Sequence, residues 1–495
     1  MKKLTAILIA VSLILGLTAC GSTPASTADP STAAESSTAA PTESVAPQET
    51  YALIAEQTDT DAVAATSEHF SFTKGEVSYF FALTFKNYYS YLSYFNVDPS
   101  VSLKEQQYTE DSTWFDAFLE ESMKYVRNYL LFSEAALDRG LELNQDDLHY
   151  IAQQKAEIAE EAEGYGWDSE TYLEQIFGTN INWEILEGSM RKMLLADKGY
   201  NAVNDELEAA ISEEDIQQHF EEKKTVFTYI DYVDLNFLDG EKLTDNDKEE
   251  LLKAFKEASD EASFMKAVIL YVDETVDEEA IKEAGSSLKY AEELIKANTK
   301  SMQQYVQSDM MDWAFSDGRS SDVFVDAEAN DGAQHAYLLK RAPYRDDETY
   351  VNVRHILLMT STLGSAEAAR AKAEEIYAKW QAGTKTEDSF ADLARQYSED
   401  GGSASDGGLY EDVYRGEMVE PFENWCFDAA RKPGDTGIVD TESGSHIMYF
   451  VSSDTGWHLD VLSDLMDEAY TAAVNELREK HPITEYEEVL NAINW

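Results

Sequence analysis

The residues best suited to chemistry are two histidines, one carboxylate in a glycine-rich loop, and a pair of large apolar side chains. His355 lies in Val353-Arg354-His355-Ile356-Leu357-Leu358, and His446 in Ser445-His446-Ile447-Met448-Tyr449-Phe450. Both runs read as strands. Between them stands Tyr397-Ser398-Glu399-Asp400-Gly401-Gly402-Ser403-Ala404-Ser405-Asp406-Gly407-Gly408, followed by Tyr410, Met418 and Phe422. A carboxylate beside an imidazole can select its tautomer and shape the field around a nearby carbonyl. Met418 and Phe422 are four apart, so one helix face can present both to a small apolar ring. Each residue alone has a plainer reading. A strand histidine is usually structural, Asp400 can be a turn residue before Gly401, and Met418 and Phe422 can be core. Only the joint spacing makes a site of them.

The elements that must position this set span 350–457. The opening strand is followed by a helix from Glu367 to Ala382, stopped by Gly383. The run Ser389-Phe390-Ala391-Asp392-Leu393-Ala394, the glycine-rich loop, a short helix and the closing strand come next. Segment 229–345 echoes this order. Tyr232 to Phe237 matches the opening strand, Ser263 to Val268 matches Ser389 to Ala394, Asp312 to Phe315 matches Asn424 to Phe427, and His335 to Leu339 matches His446 to Phe450. Four matches in one order suggest a duplicated unit. In the earlier copy Asp234 stands where His355 does, the glycine-rich loop is missing, and His335 is expected to be an exposed strand-end histidine.

The remaining body is helical. Thr73-Lys74-Gly75-Glu76 reads as a capping box. Val77, Phe80, Phe81, Tyr88, Leu92 and Phe95 then fall mostly on one stripe. A second helix is expected from Trp114 to Arg139 with Gly140 as its stop, and another from Ser212. Segment 459–495 is helical again, with Leu462, Leu465, Met466, Ala469, Ala473 and Leu477 at helical spacing.

Segment 350–457 resembles the parvulin family of prolyl isomerase domains. The resemblance rests on Arg354-His355-Ile356-Leu357, the glycine-rich loop, Arg415-Gly416-Glu417-Met418-Val419-Glu420-Pro421-Phe422-Glu423 and Gly444-Ser445-His446-Ile447. It implies catalytic roles for His355, Asp400 and His446, with the histidines as neighbours in the sheet. Asp400 falls where the family carries Asp or Cys. Met418 and Phe422 match the proline pocket. One departure is clear: Gly407-Gly408 leads into Leu409-Tyr410-Glu411-Asp412-Val413 rather than the family's Asp-Leu-Gly and aromatic, which puts Tyr410 at the pocket wall in place of leucine. The chemistry fits, because rotation about a prolyl bond is opposed by C–N resonance. Holding the ring and favouring the twisted amide is enough. No bond is broken, so neither cofactor nor metal is expected.

The helical flanks resemble the architecture of PrsA-type and SurA-type foldases. The implied fold is multidomain α+β, with a helical chaperone domain (61–228) completed by C-terminal helices (459–495). Two parvulin-like units are inserted, a degenerate one (229–345) and a catalytic one (350–457). The implied partners are unfolded or newly secreted polypeptides with prolyl bonds, and dimerisation is left open. The many aromatics of 72–132 suit either a lining for such clients or ordinary helix packing.

Composition agrees with this reading. A chain of 495 residues with 43% hydrophobic content, 28 Tyr and 21 Phe can fill several cores. Its 96 acidic and 38 basic residues give a net charge of −58, which argues against nucleic acid as a partner and favours cations or basic clients. No acidic block has calcium-loop spacing, so a solvated acidic surface is the simpler account. The only cysteines, Cys20 and Cys426, form no disulfide framework, and Cys426 is expected in a core.

Lys2 and Lys3 precede an uncharged apolar run, Leu4 to Leu17, which reads as a signal peptide (1–19). Leu17-Thr18-Ala19-Cys20 resembles the bacterial lipobox. That implies lipidation of Cys20 and a cell-membrane location on the extracytoplasmic side. Residues 20–60, rich in Ser, Thr, Ala and Pro, should form a flexible tether. Two rival functions remain at this level. One is a noncatalytic chaperone lipoprotein with a decayed site. The other is a solute-binding lipoprotein of a transporter, which would need repeated βαβ units.

Overall fold

The computed structural model describes residues 58–237, 243–303, 308–316, 318–320, 322–326 and 334–495. The signal segment, Cys20 and nearly all of the tether lie outside the described residues. The fold is multidomain α+β, in two compact units: 1–211 with 466–495, and 212–465. These limits differ from the expected 228/229 and 458/459. The reason is local: Phe220, on the helix Glu213–Glu222, packs on Phe227 and on Trp457. Among the described residues no helix is long and apolar enough to cross a membrane.

The first unit opens with strands β1 (Val63–Thr66) and β2 (Ser71–Thr73), joined on β1's other edge by the short strand Thr484–Glu485. The helix Lys74–Tyr88 starts at the capping box, with Thr73 and Glu76 each bonding the other's backbone N–H. It ends at Tyr88, so the expected stripe does not continue: Phe95 lies beyond it and is exposed. A small hairpin, β3 (Gln107–Thr109) and β4 (Ser112–Thr113), leads to the helix Trp114–Asp138. Gly140 follows in the left-handed region, φ +67°, where a helix end favours glycine.

The long helices Trp114–Asp138 and Trp183–Ala210 pack closely at Gly199, where an added Cβ would stand 2.0 Å from the Phe132 carbonyl oxygen. C-terminal residues close this core. Trp495 is buried against Phe81 and Phe85, at ring separations of 4.9 and 5.5 Å. His481 Nε2 meets Asp138 at 2.9 Å.

The second unit contains two four-stranded antiparallel sheets. The first uses β5 (Thr228–Asn236), β6 (Thr299–Gln303), β7 (Val323–Asp326) and β8 (His335–Arg345), in the order β6-β5-β8-β7. The second uses β9 (Thr349–Met359), β10 (Leu409–Val413), β11 (Thr436–Asp440) and β12 (Gly444–Thr455), in the order β10-β9-β12-β11. The registers also correspond. Asn236 faces His335 and Asp234 faces Tyr337, while Leu357 faces His446 and His355 faces Met448.

Strand parity sorts the second sheet's side chains. Ile356, Leu358, Ile447 and Tyr449 point to the helices Ala366–Ala382 and Glu387–Tyr397. Val351, Val353, Met448 and Phe450 point to the other face, where Phe422 and Cys426 of the helix Glu420–Cys426 cover them. His355 and His446 share this second face.

Gly199 offers a test with opposed signs. Helix propensity alone predicts that Gly199→Ala stabilises by up to about 1 kcal/mol. The helix contact predicts destabilisation by about 1–3 kcal/mol, read from urea unfolding. Gly164→Ala, where a Cβ meets nothing within 4 Å, should be neutral or stabilising.

Candidate active site

Because β9 and β12 are paired neighbours, the two histidines meet side by side. His355 Nδ1 lies 3.0 Å from His446 Nδ1, and the rings are nearly parallel at 5.3 Å. His355 Nε2 lies 3.0 Å from both Asp400 Oδ2 and Ser403 Oγ. Tyr410 donates to the same Asp400 oxygen at 2.9 Å, and Ser403 donates to it as well. At the far end, Thr441 Oγ1 is 2.9 Å from His446 Nε2. His355 and His446 are 2% and 7% exposed, so neither ring is free to hydrate.

Burial, opposed only partly by Asp400, lowers the pKa of His355. Burial, with the neighbouring His355, brings His446 down to about 4. Burial alone would raise the Asp400 carboxyl. Hydrogen bonds from Ser403, Tyr410 and His355 outweigh it and hold the group at about 2. Burial and then Asp400 push Tyr410 up to about 12.

With both imidazoles neutral and Asp400 ionised, one proton arrangement satisfies every contact. His355 donates from Nε2 to Asp400. Its Nδ1 then accepts from the N–H of His446, whose Nε2 accepts from Thr441. No ring nitrogen keeps a free lone pair for a metal. The network therefore positions two neutral rings.

Phe422 stands nearly perpendicular to both imidazoles, at 5.5 Å from each. Tyr410 stacks on His355 at 4.9 Å and reaches Phe422 at 6.4 Å. Met418 packs on the same cluster. It is not on the Phe422 helix, however, contrary to the shared-face expectation. That helix begins at Glu420, and extending it back through Glu417 would set the Pro421 ring against the carbonyl four residues earlier. Met418 reaches the pocket from the preceding bend.

The loop geometry explains the glycine pair. Gly408 has φ +74°, and a Cβ there would fall 2.1 Å from the His355 carbonyl oxygen. Arg354 ties the same loop down through the Asp406 carbonyl and Glu387. Where the sequence departs from the parvulin pattern, the β9–β10 register shifts between Tyr410 and Val413, and Asp412 takes φ +53°.

All six expected site residues, His355, Asp400, His446, Tyr410, Met418 and Phe422, thus lie in one network and the pocket above it. Two members were missed, Ser403 and Thr441. Ser403 carried a signal, since it stands three residues after Asp400, within reach of a local side-chain bond. Thr441 carried none, because only the β11–β12 hairpin brings it to His446.

The earlier unit holds a different set at the equivalent positions. Asp234 bonds His335 Nδ1 at 2.6 Å and Lys300 Nζ at 2.8 Å. His335 is therefore not exposed as expected: its side chain is 15% accessible and hydrogen-bonds to Asp234. Lys300 faces Tyr232 as Tyr410 faces Val353. Between the helix Ser287–Ala297 and β6 only Asn298 intervenes, so no loop can supply a second Asp400.

Comparison with known proteins agrees with this geometry. Residues 336–453 match the family model of the PPIC-type PPIASE domain, whose match begins within β8. Foldase protein PrsA 1 of Listeria innocua is 35% identical over 108 residues, covering 22% of this chain and 32% of that protein. Chaperone SurA of Hahella chejuensis is 45% identical over 71 residues, 14% of this chain and 15% of that one. The chain therefore spans about a third or less of the length of these curated relatives. The crystal structure of a peptidylprolyl isomerase (PrsA) from Bacillus anthracis aligns over 57% of this chain and 95% of its own, at 14% identity and a TM-score of 0.19. Sequence match, paired histidines and apolar pocket agree in marking residues 336–453 as similar to the PPIC-type, or parvulin, peptidyl-prolyl isomerase domain.

Proposed function

We propose that the chain is a peptidyl-prolyl cis/trans isomerase and folding chaperone for secreted polypeptides. In this reading it is held at the outer face of the bacterial membrane by lipid on Cys20. The observation that carries the catalytic part is the neutral His355–His446 pair, fixed by Asp400 and Thr441 beneath the wall of Phe422, Met418 and Tyr410. Such a site can bind the proline ring in apolar surroundings and set ordered dipoles near the rotating carbonyl. A decayed site would not be expected to keep every partner of a six-member network. A solute-binding lipoprotein is disfavoured because both sheets of the second unit are antiparallel. The chaperone part is supported by the PrsA and SurA relatives, and the location by the leader and lipobox alone.

Three measurements test this reading. First, the chain without residues 1–19 and with Cys20→Ser should accelerate exchange of short prolyl peptides by NMR. Phe422→Ala should lower kcat/KM roughly 100-fold, about 3 kcal/mol of lost apolar contact. Asp400→Asn, which keeps an acceptor, should cost about ten-fold. The reverse ranking would mean that the Asp–His electrostatics outweigh the pocket, and no acceleration at all would leave only the chaperone.

Second, pH separates the two histidine states. An unfolded histidine titrates near 6.5, while His446 titrates at about 4 when folded. Between those values the unfolded chain takes up the proton and the folded chain does not. Stability is thus full above about pH 6.5 and declines as pH falls towards 4, by up to about 3 kcal/mol. kcat/KM should stay level from neutral pH to about 5 and be half lost near 4. A midpoint close to 6.5 would contradict the neutral pair.

Third, cells fed a labelled fatty acid should incorporate it into the wild-type chain and not into Cys20→Ser. Equal labelling of both would remove the lipid anchor from the proposal.

A further inference from the structure

Seven of the fourteen large hydrophobic side chains exposed among the described residues fall between Tyr88 and Tyr108 of the first unit. Tyr94 is 81% accessible, Tyr91 59% and Tyr108 53%. The rings of Tyr94, Phe95, Trp114 and Tyr108 form a continuous row. Tyr94 meets Phe95 at 5.3 Å, Phe95 meets Trp114 at 5.6 Å, and Trp114 meets Tyr108 at 4.8 Å. Isolated exposed aromatics are ordinary, whereas a contiguous patch marks an interaction surface.

The backbone beneath the patch is fixed. Leu92, Val97 and Leu103 are buried anchors. The Gln106 side chain donates to the carbonyls of Asp98 and Val101, at 2.9 and 2.8 Å, and accepts from Asp98 N at 2.8 Å. Ser102 Oγ donates to the Trp495 carbonyl at 2.9 Å. The rings are therefore held outward on a braced loop. Tyr and Trp, with few rotatable bonds, give up little entropy when such a surface is covered.

Charge selects the occupant. Asp98, Glu105, Glu110 and Asp111 are all exposed around the rings. Lys104, the one cation in the sequence from Tyr88 to Asp111, donates to the Asn491 carbonyl at 2.7 Å and lies over the Phe115 ring. An acidic rim repels anionic headgroups and a second copy of a chain carrying −58. It attracts Arg and Lys, which also stack on aromatic faces.

We propose that the Tyr91–Tyr94–Phe95–Tyr108 surface binds extended, unfolded polypeptide segments that carry basic residues among aromatic or aliphatic ones. This rests on the chaperone part of the function proposed above and assigns its client contact to one surface.

The test uses the full chain without residues 1–19, with Cys20→Ser, and the same chain bearing Tyr91→Ser, Tyr94→Ser and Phe95→Ser. The probes are a fluorescein-labelled unstructured peptide of Arg, Phe, Leu and Ser, and its Glu-for-Arg counterpart, read by anisotropy. The triple variant should unfold in urea as the parent does and isomerise a short prolyl peptide at the parent's rate. It should bind the Arg peptide on the order of ten-fold more weakly. The parent should prefer the Arg peptide to the Glu peptide by about ten-fold at low salt, a preference that fades near 1 M salt. Undiminished binding by the triple variant, or equal binding of both peptides, overturns the proposal. So does a parent that sediments as a dimer when the variant is a monomer, or that floats with phosphatidylglycerol vesicles when the variant does not. A parent that binds neither peptide fails the chaperone reading itself, a result distinct from loss of this surface alone.

Discussion

Two imidazoles placed 3.0 Å apart in a buried sheet constrain everything around them. If both were protonated, two N–H groups would point at each other with no water to separate the charges. One nitrogen must accept and the other donate, which fixes both tautomers and then the partner at each end. Asp400 must accept the hydrogen bond from His355 Nε2–H, and a hydroxyl must face His446 Nε2. Asp400 must in turn stay ionised although partly buried, which requires the donors Ser403 and Tyr410. The Gly407-Gly408 turn, folded tightly over the His355 carbonyl, allows the loop that supplies this carboxylate to reach it.

In the earlier unit the first link of this chain of constraints is changed. At the register position of His355 it has Asp234, a group that can accept but not donate while ionised. His335 alone cannot neutralise and orient it, and Lys300 completes the set from the neighbouring strand. The sheet order and register persist because they depend on strand parity and on the helices packed behind. The site chemistry does not persist, because it depends on one loop that this unit lacks. Fold and site chemistry thus separate within a single chain.

Much of this was legible in the amino-acid order, and the limits have physical causes. The runs around His355 and His446 read as strands, and the parvulin resemblance implied that the two histidines are neighbours in one sheet. The capping box at Thr73 and Glu76 was readable because its partners are three residues apart. Met418 was misassigned to the Phe422 helix because four-residue spacing was weighted above the Pro421 break. His335 was read as exposed because its carboxylate partner lies about a hundred residues away, at Asp234. Thr441 was invisible for a different reason: it lies only five residues from His446, but a hairpin register, not helical or turn spacing, brings it there. The aromatics of 72–132 divided between both readings, with Phe80, Phe81 and Phe118 in the core and Tyr91, Tyr94 and Tyr108 at the surface. Composition alone does not mark that division.

The Tyr410 departure bears on what Asp400 can do. A leucine at the pocket wall would supply apolar surface alone. Tyrosine supplies similar surface and also a hydroxyl, which must find an acceptor once the ring stacks on His355. The nearest is Asp400 Oδ2, already bonded by Ser403 and facing His355 Nε2. Three donors converging on one oxygen leave it no capacity to accept from a substrate amide. That oxygen therefore serves to hold His355, while Met418, Phe422 and the Tyr410 ring supply the apolar wall of the pocket. In the proposed reaction, electrostatics in this site keeps two imidazoles neutral and still, and recognition of the proline ring is left to apolar contact.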